Sequence, residues 1–295
     1  MGYFQIITSD KLNRGTEPEK MKDDQMNKRP EELPNALAQM DKILESTSGR
    51  QICLFLDYDG TLTPIVSNPD EALLSEKARE VIGKLSERIT VAIISGRDRK
   101  DVSAKAGIPN IIYAGSHGFD ISGPDGLEMA HASGETIIPA LDLAEKQLRE
   151  KLGSIEGVQV ERKKYAIAVH FRNARDHVLP HIREAVSEVL NSQKELKKGS
   201  GKKILELKPE IDWHKGKALI WLMKKLQLDR DKYIPVFIGD DVTDEDALSV
   251  VKEDGVGIIT GSHDQTTAAS YRLEDPDQVI AFLEQLKDRL LTLRD

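Results

Sequence analysis

Two aspartates, Asp57 and Asp59, stand directly after an apolar run at residues 52–56. Four apolar residues and a cysteine without polar alternation are typical of a strand buried on both faces of a parallel sheet. Such sheets bind ligands at the carboxyl ends of their strands. In an extended chain the two aspartate side chains point the same way, and close carboxylates repel each other unless a cation lies between them. Because a hard divalent ion such as Mg²⁺ prefers oxygen ligands, the run predicts a metal-assisted phosphoryl-transfer site.

An acidic turn that only closes a strand would look similar, because Asp and Gly are favoured in turns for conformational reasons. Three further fragments favour the phosphate site. Ser95 ends a second apolar run before a Gly-Arg turn, where a hydroxyl and a backbone N–H can bind a phosphoryl oxygen. Lys215 precedes a predicted helix and can neutralise phosphate charge. Asp240 follows a third apolar run and would complete a metal site of three carboxylates.

In their order along the chain, the four fragments resemble the signature of the haloacid dehalogenase superfamily of aspartate-nucleophile phosphatases. Longer stretches are similar to those of trehalose-6-phosphate phosphatases. These stretches lie at residues 57–65, 115–118, 161–163, 170–172, 206–209 and 239–245. The resemblance covers roughly residue 51 to the end of the chain, and the first fifty or so residues lie outside it.

The resemblance implies a reaction, the hydrolysis of trehalose 6-phosphate in trehalose biosynthesis. Mg²⁺ would be held by Asp57, Asp59 and Asp240. Asp57 would attack phosphorus and form an aspartyl-phosphate, while Asp59 would protonate the leaving oxygen and then activate water. Ser95 and Lys215 would complete the catalytic group. The spacing alone does not distinguish the nucleophile from the acid, so the assignment of these two roles rests on the family pattern.

The resemblance also implies residues around this centre. Asp241 and Asp244 would orient Lys215 and the metal-bound waters. Alternating charges along solvent-facing strands would look similar, so a structural role stays open for the sugar-side residues, above all His170 and Arg172. At Phe171 the chain departs from the tyrosine that the family often has. The predicted substrate-binding residues are Gly60, Thr61, Gly96, Arg97, Ser116, His117 and Gly118 near the phosphate, and Glu161, Lys163, His170, Arg172, Glu206 and Lys208 near the sugar.

The elements that must position these residues alternate between strands and helices, which predicts a doubly wound, Rossmann-like α/β core. Between the Ser95 and Lys215 motifs, a hairpin at residues 123–126, two helices and antiparallel strands interrupt this alternation. Such an insert is typical of a cap that excludes water and recognises the substrate. We therefore expect an N-terminal extension at 1–48, partly disordered or helical, a core at 49–122 and 209–295, and an inserted cap at 123–208. A flexible basic turn is expected at 199–203.

Composition agrees with a small-molecule enzyme. A net charge of −8 disfavours nucleic acid or an anionic membrane as a partner. The single cysteine, Cys53, allows no intrachain disulfide, which favours a reducing compartment. The chain has no apolar run of membrane-spanning length and no signal-peptide pattern, so we expect a cytoplasmic protein. We also expect a monomer. The resemblance implies a functional link to trehalose-6-phosphate synthase.

Other functions stay open at this point. The same chemistry could act on sucrose 6-phosphate, mannosylglycerate phosphate or a hexose phosphate, because the core motifs contact only the phosphate that these compounds share. A phosphosugar mutase would use a similar core and cap. A non-catalytic sugar-phosphate sensor is disfavoured because every residue that the chemistry needs is present.

Overall fold

The structure, a computed structural model, describes residues 28–47, 49–66, 68–130, 136–201 and 203–292. Residues 1–27 of the predicted N-terminal extension lie outside the described residues. Within its described part, a short 3₁₀ helix spans Pro30–Glu32. In chain order, the described strands are β1 (Gln51–Leu56), β2 (Thr90–Ile94), β3 (Ile112–Gly115), β4 (Asp120–Ser122), β5 (Glu128–Ala130), β6 (Gln159–Arg162), β7 (Ile167–His170), β8 (Leu196–Gly201), β9 (Ile204–Pro209), β10 (Tyr233–Gly239), β11 (Val256–Thr260) and β12 (Tyr271–Leu273).

Eight α-helices fall within the described residues. Helix α2 begins directly after Ser75, whose side chain accepts a hydrogen bond from the Ala78 N–H as an N-cap. The helices are α1 (Met40–Ser46), α2 (Glu76–Ser86), α3 (Arg99–Ala106), α4 (Ile138–Leu152), α5 (Leu179–Ser192), α6 (Lys215–Lys225), α7 (Glu245–Val251) and α8 (Pro276–Thr292). No described helix is long and apolar enough to cross a membrane.

The large sheet confirms the predicted doubly wound α/β fold. Its strand order is β12-β11-β10-β1-β2-β3-β4-β5. The six strands from β12 to β3 are parallel, and β4 and β5 extend the sheet as an antiparallel hairpin. Strand β1 lies between β10 and β2, so the carboxyl ends of these three strands meet at one edge. Ligands of parallel α/β sheets bind at that edge.

The apolar run of β1 is buried because helices cover both faces of the sheet. Leu54 and Leu56 pack in one cluster with apolar residues of α2 and α8. Cys53 and Phe55 point to the other face, where they pack with α6 and α7. Each of these four side chains has no exposed surface. The absence of polar alternation in the sequence is thus the direct result of two covering layers.

A second sheet of four antiparallel strands, in the order β6-β7-β9-β8, lies between β5 and α6 in the chain. Helices α4 and α5 cover one face through a separate apolar cluster. Strand β9 shows the alternation of a half-covered sheet: Leu205 and Leu207 are buried, whereas Ile204, Glu206 and Lys208 are partly exposed. The uncovered face therefore presents polar side chains.

Two segments differ from the sequence-based expectation. The hairpin at 123–126 joins β4 to β5, and both strands belong to the large sheet, so that sheet continues to Ala130 past the expected boundary at 123. Ile121 and Leu127 explain this, because they pack with Ile112 in the core cluster of that sheet. Residues 199–201, expected in a flexible turn, instead end strand β8, which pairs with β9.

The N-terminal extension, expected to be partly helical, contains the short helix α1 among its described residues. A 3₁₀ turn, Leu37–Gln39, precedes α1. Met40 and Ile43 are buried against the large sheet's core, with Leu37 and Leu44 packed beside them. The Ala36 N–H donates to the Arg272 carbonyl at 2.8 Å, which ties this segment to β12.

Candidate active site

Three buried carboxylates meet at the carboxyl end of the central strands. Asp57 follows β1 and Asp240 follows β10, and the parallel pairing of Leu56 with Ile238 brings these two aspartates together. Asp244, in the turn after β10, is the third. Each offers a carboxylate oxygen within 4.8 Å of the other two. Their exposed fractions are 4%, 7% and 0%.

Lys215, the first residue of α6, lies among these carboxylates and is only 3% exposed. Its Nζ donates to Asp57 Oδ1 at 2.5 Å and to Asp244 Oδ1 at 2.7 Å. The other Asp244 oxygen accepts from the backbone N–H groups of Asp240 and Asp241, each at 3.1 Å. Asp244 is therefore fully engaged as the residue that orients Lys215. Asp241 accepts from the Val242 N–H and lines the cavity, and its predicted contact with metal-bound waters stays a prediction.

The cluster carries more negative charge than one lysine can neutralise. Burial, together with repulsion from the neighbouring carboxylates, raises the pKa of Asp57 and of Asp240 despite the attraction of Lys215. Burial alone would lower the pKa of Lys215, but Asp244 and Asp57 outweigh it and raise that pKa, so Lys215 stays protonated. A buried, all-oxygen donor set with excess negative charge fits a hard divalent cation.

Gly60 shows how tightly the site is built. Its φ of +84° is in the left-handed region, and a Cβ at this position would lie 2.1 Å from Asp240 Oδ2. The backbone of Gly60, which is predicted to contact the substrate, therefore packs closely against the Asp240 carboxylate. Thr61, next to it, is fully buried.

The carboxylate of Asp59 pairs with Arg97 and is not a member of the buried cluster. Both of its oxygens accept from Arg97, from Nε and from Nη2, each at 2.7 Å. Arg97 also donates to Asp101 at 2.8 Å and lies over the Tyr58 ring at 5.6 Å. The structure thus places Asp244 where the sequence suggested Asp59 as the third carboxylate. Arg97, predicted to bind phosphate, forms an ion pair with Asp59 in this structure.

Ser95 and the loop at 115–118 lie behind the residues that line the cavity, with His117 as the exception. Ser95 is 1% exposed, and its Oγ accepts from the Arg97 N–H at 3.1 Å, so its side chain orders the turn and does not line the cavity. Ser116 and His117 have positive φ angles of 50° and 57°. Gly118 packs against α6, because a Cβ there would lie 2.3 Å from the Ala218 Cβ. Of this loop, only His117 reaches the cavity.

A cavity of about 490 Å³ opens above the carboxylates and extends to the uncovered face of the small sheet. This volume lies within the range typical of small-molecule sites, roughly 300–1,000 Å³. Of the predicted sugar-side residues, only Lys208 does not line it. The remaining five do, namely Glu161, Lys163, His170, Arg172 and Glu206.

The sugar-side residues form ion pairs on the cavity wall. His170 Nε2 lies 2.6 Å from Glu161 Oε2, and this hydrogen bond lowers the pKa of Glu161. Lys163 Nζ donates to Glu206 Oε1 at 3.3 Å, and His117 Nε2 lies 3.7 Å from the other Glu206 oxygen. Burial lowers the pKa of His117, which favours its neutral form. Burial alone would raise the pKa of Glu206, but the nearby His117 ring and the charge of Lys163 outweigh it, and the pKa is lowered.

Sequence reasoning missed several cavity residues. Gln159 and Ile204 were detectable, since they lie two residues from Glu161 and Glu206 on the same strands and so share their face. Asp98 follows Arg97 directly, and Asp101 lies one helical turn beyond it, yet neither has a signal of its own in the sequence. Ile65, Val66 and Pro69 come from the loop after Gly60, where no periodic pattern exists.

Comparison with known proteins agrees with this geometry. The profile of a family described as "Trehalose-phosphatase" matches residues 55–277. Trehalose 6-phosphate phosphatase RA3 of Zea mays is 40% identical over 274 residues, covering 88% of this chain and 76% of the maize protein. The C-terminal domain of C. albicans trehalose-6-phosphate phosphatase superposes with a TM-score of 0.72 at 24% identity, covering 87% of this chain and 99% of that one. A haloacid dehalogenase-like hydrolase from Bacteroides thetaiotaomicron has the same fold, with a TM-score of 0.57 at 17% identity over 80% of this chain and 99% of that one.

Proposed function

The chain belongs to the trehalose-phosphatase family, and from this membership and the site we propose that it hydrolyses trehalose 6-phosphate through an aspartyl-phosphate on Asp57 with Mg²⁺ as cofactor. One observation carries the proposal. Asp57 is held by Lys215 at the base of a cavity whose upper wall carries paired Glu and Lys side chains suited to sugar hydroxyls. The small-sheet unit, formed by the four-stranded sheet and helices α4 and α5, would then serve as the cap that recognises the sugar.

The metal would be held chiefly by Asp57 and Asp240. Asp244 is the third carboxylate of the cluster, but its oxygens already accept from Lys215 and two backbone N–H groups. When bound, a divalent cation would neutralise the carboxylates and the charge that develops on the phosphoryl oxygens. The choice of Mg²⁺ follows from the all-oxygen donor set.

The chain's own residues would carry the reaction in two steps. An Asp57 oxygen bonds to phosphorus in line as the bond from phosphorus to the sugar oxygen breaks, and Asp59 gives that oxygen a proton. Asp59 then takes a proton from a water molecule that attacks phosphorus, which releases phosphate and restores Asp57. Lys215 fixes the Asp57 carboxylate and offsets phosphate charge. Asp59 must leave Arg97 or share it with the substrate to act, because both of its oxygens are engaged there.

The intermediate can be tested directly. A sample quenched in acid during turnover should contain the peptide carrying Asp57 with one added phosphoryl group, detectable by mass spectrometry. Phosphate release without this species, under conditions that trap it in a known aspartyl-phosphate enzyme, would contradict the covalent step. Net isomerisation of a sugar phosphate without release of phosphate would instead indicate a mutase.

Metal binding should depend on pH in a defined direction. The raised pKa values of Asp57 and Asp240 mean that the folded, metal-free protein binds protons that the unfolded chain has released. Its free energy of unfolding should therefore fall as pH rises above the ordinary carboxylate range. Mg²⁺ competes with these protons, so its affinity should increase over the same interval.

Thermal unfolding with EDTA or with Mg²⁺, across pH, measures both effects. At 100 times its dissociation constant, Mg²⁺ should stabilise the wild type by about 2.7 kcal/mol. Asp240→Asn should lose most of this gain. A Mg²⁺ effect of equal size in both proteins, or one independent of pH, would show that the cation binds elsewhere.

Removing the Glu206 carboxylate should weaken recognition of the sugar more than it slows cleavage of the phosphate ester. Glu206→Gln removes the carboxylate that pairs with Lys163, and loss of one charged hydrogen-bond partner costs roughly 1.5–3 kcal/mol. We expect kcat/KM for trehalose 6-phosphate to fall about 10- to 100-fold, whereas kcat/KM for 4-nitrophenyl phosphate should change little. Parallel losses for both substrates would contradict a sugar-recognition role.

A further inference from the structure

Asp98 occupies the N-cap position of helix α3, yet its side chain does not cap the helix. An aspartate at this position usually accepts from the N–H groups of the first helical turn. Here the carboxylate instead turns toward the small-sheet unit. Its contacts with that unit and with the loop at 115–118 indicate a different role.

The carboxylate of Asp98 joins two parts of the molecule. From the β6–β7 turn, the Lys164 backbone N–H donates to Oδ2 at 2.8 Å and to Oδ1 at 3.1 Å. From the loop after β3, the Ser116 hydroxyl donates to Oδ1 at 2.9 Å. Because donors already occupy both oxygens, Asp98 is suited to hold protein elements together, although it lies on the cavity wall.

A second contact reinforces the same junction. Asp120 at the start of β4 is 8% exposed and accepts from Arg99 Nε at 2.8 Å and from Lys164 Nζ at 3.1 Å. The Lys164 ammonium also lies 4.8 Å from the centre of the buried Tyr165 ring. Lys164 is thus bound to the core through both its backbone and its side chain.

These contacts close a ring of interactions around the sugar-side wall. Lys163, next to Lys164, pairs with Glu206, and Glu206 contacts His117. His117 follows Ser116, which returns to Asp98. The positive φ angles of Ser116 and His117 cost energy, so this loop conformation needs partners that hold it.

We propose that Asp98 is a positioning residue that fastens the β6–β7 turn to the core and thereby sets Lys163 and Glu206 at the distance that selects a sugar phosphate. This assignment rests on the proposed function for its substrate. It assigns Asp98 no proton transfer and no contact with the reacting phosphate. Its consequence is that Asp98 determines selectivity between a sugar phosphate and a phosphate ester that does not reach the cap.

Amide hydrogen exchange tests the junction without any reference to activity. In Asp98→Ala the Lys164 amide loses its acceptors, and its exchange should become about tenfold faster or more, since a hydrogen bond to a charged group is lost. Asp98→Asn keeps one acceptor oxygen, so its Lys164 amide should exchange at a rate between those of the wild type and Asp98→Ala. Glu76→Ala is the matched control, because Glu76 also lies at a helix start. Its side chain is 90% exposed, and it pairs with Arg79 of its own helix instead of with the small-sheet unit.

Kinetics with two substrates then test the role. For Asp98→Ala, kcat/KM for trehalose 6-phosphate should fall about tenfold, mainly through KM, whereas kcat/KM for 4-nitrophenyl phosphate should stay within about twofold. Lys164→Ala removes the side-chain contacts with Asp120 and the Tyr165 ring but keeps the backbone N–H that donates to Asp98, so it should give a smaller loss in the same direction. Because the Lys164 side chain is 47% exposed, Lys164→Ala should fold, and it provides the test if Asp98→Ala does not fold.

Three results would overturn the proposal. These are unchanged exchange of the Lys164 amide in Asp98→Ala, equal losses for both substrates, and effects in Glu76→Ala that match those of Asp98→Ala. A wild-type protein inactive on trehalose 6-phosphate would contradict the proposed function, and the exchange measurement would still decide whether Asp98 fastens the turn.

Discussion

Asp57→Asn is expected to lower the rate of phosphate release from trehalose 6-phosphate by about 10⁴-fold or more, the scale seen when a catalytic nucleophile is removed. The amide has nearly the same shape but cannot form the acyl-phosphate bond. Folding should survive, because Lys215 keeps its contact with Asp244 and the variant carries one buried negative charge fewer. We expect a change in the free energy of unfolding within about 1 kcal/mol, or a small gain.

Asp246→Asn is the matched control for this substitution. Asp246 lies in helix α7 close to the same motif, but its carboxylate is 53% exposed and faces His214, outside the cavity. Steady-state rates of this variant should stay close to those of the wild type. Substantial activity in Asp57→Asn, with the deamidated form excluded by mass spectrometry, would remove Asp57 as the nucleophile.

Lys215→Met should damage both stability and catalysis. The substitution keeps the bulk of the side chain but leaves Asp57 and Asp244 buried without their shared cation. Breaking a buried ion pair in this way costs about 3–5 kcal/mol. The turnover rate should also fall by about 10²–10³-fold, since a fixed donor facing developing phosphate charge is lost.

A double-mutant cycle separates the two contributions. Adding Asp244→Asn to Lys215→Met removes one of the unpaired carboxylates, so the double variant should be less destabilised than the sum of the single variants. Mg²⁺ should recover part of the stability of Lys215→Met, because it neutralises the remaining charge at Asp57. Additive losses in the cycle would show that Lys215 and Asp244 do not act as a unit, contrary to their 2.7 Å contact.

The position of the site could be predicted from the sequence because it depends on local patterns. An unbroken apolar run followed by carboxylates indicates a buried parallel strand and its ligand edge, and β1 with Asp57 has this arrangement. The apolar spacing of α2 and its Ser75 cap are likewise local signals, and the structure has a helix there. The doubly wound fold follows from such elements taken in order.

Features that depend on side-chain direction could not be predicted in the same way. Asp57 and Asp59 point the same way in an ideal strand, but β1 ends at Leu56, and the turn that follows brings Asp59 to Arg97. Asp244 enters the carboxylate cluster through a turn with no regular period. The hairpin at 123–126 was recognised as a turn, but whether its strands pair with the large or the small sheet depends on long-range contacts such as that of Ile121 with Ile112. Asp98 looks like an ordinary helix cap in the sequence.

We propose that the enzyme removes phosphate from trehalose 6-phosphate at a metal-dependent Asp57 site. The most direct test measures phosphate release from trehalose 6-phosphate, sucrose 6-phosphate, mannosylglycerate phosphate and glucose 6-phosphate, with Mg²⁺ or with EDTA, for the wild type and Asp57→Asn. We predict a strong preference for trehalose 6-phosphate that disappears with EDTA and with the substitution. Comparable rates across the panel would contradict the assigned substrate, and activity that persists in EDTA or in Asp57→Asn would contradict the assigned site.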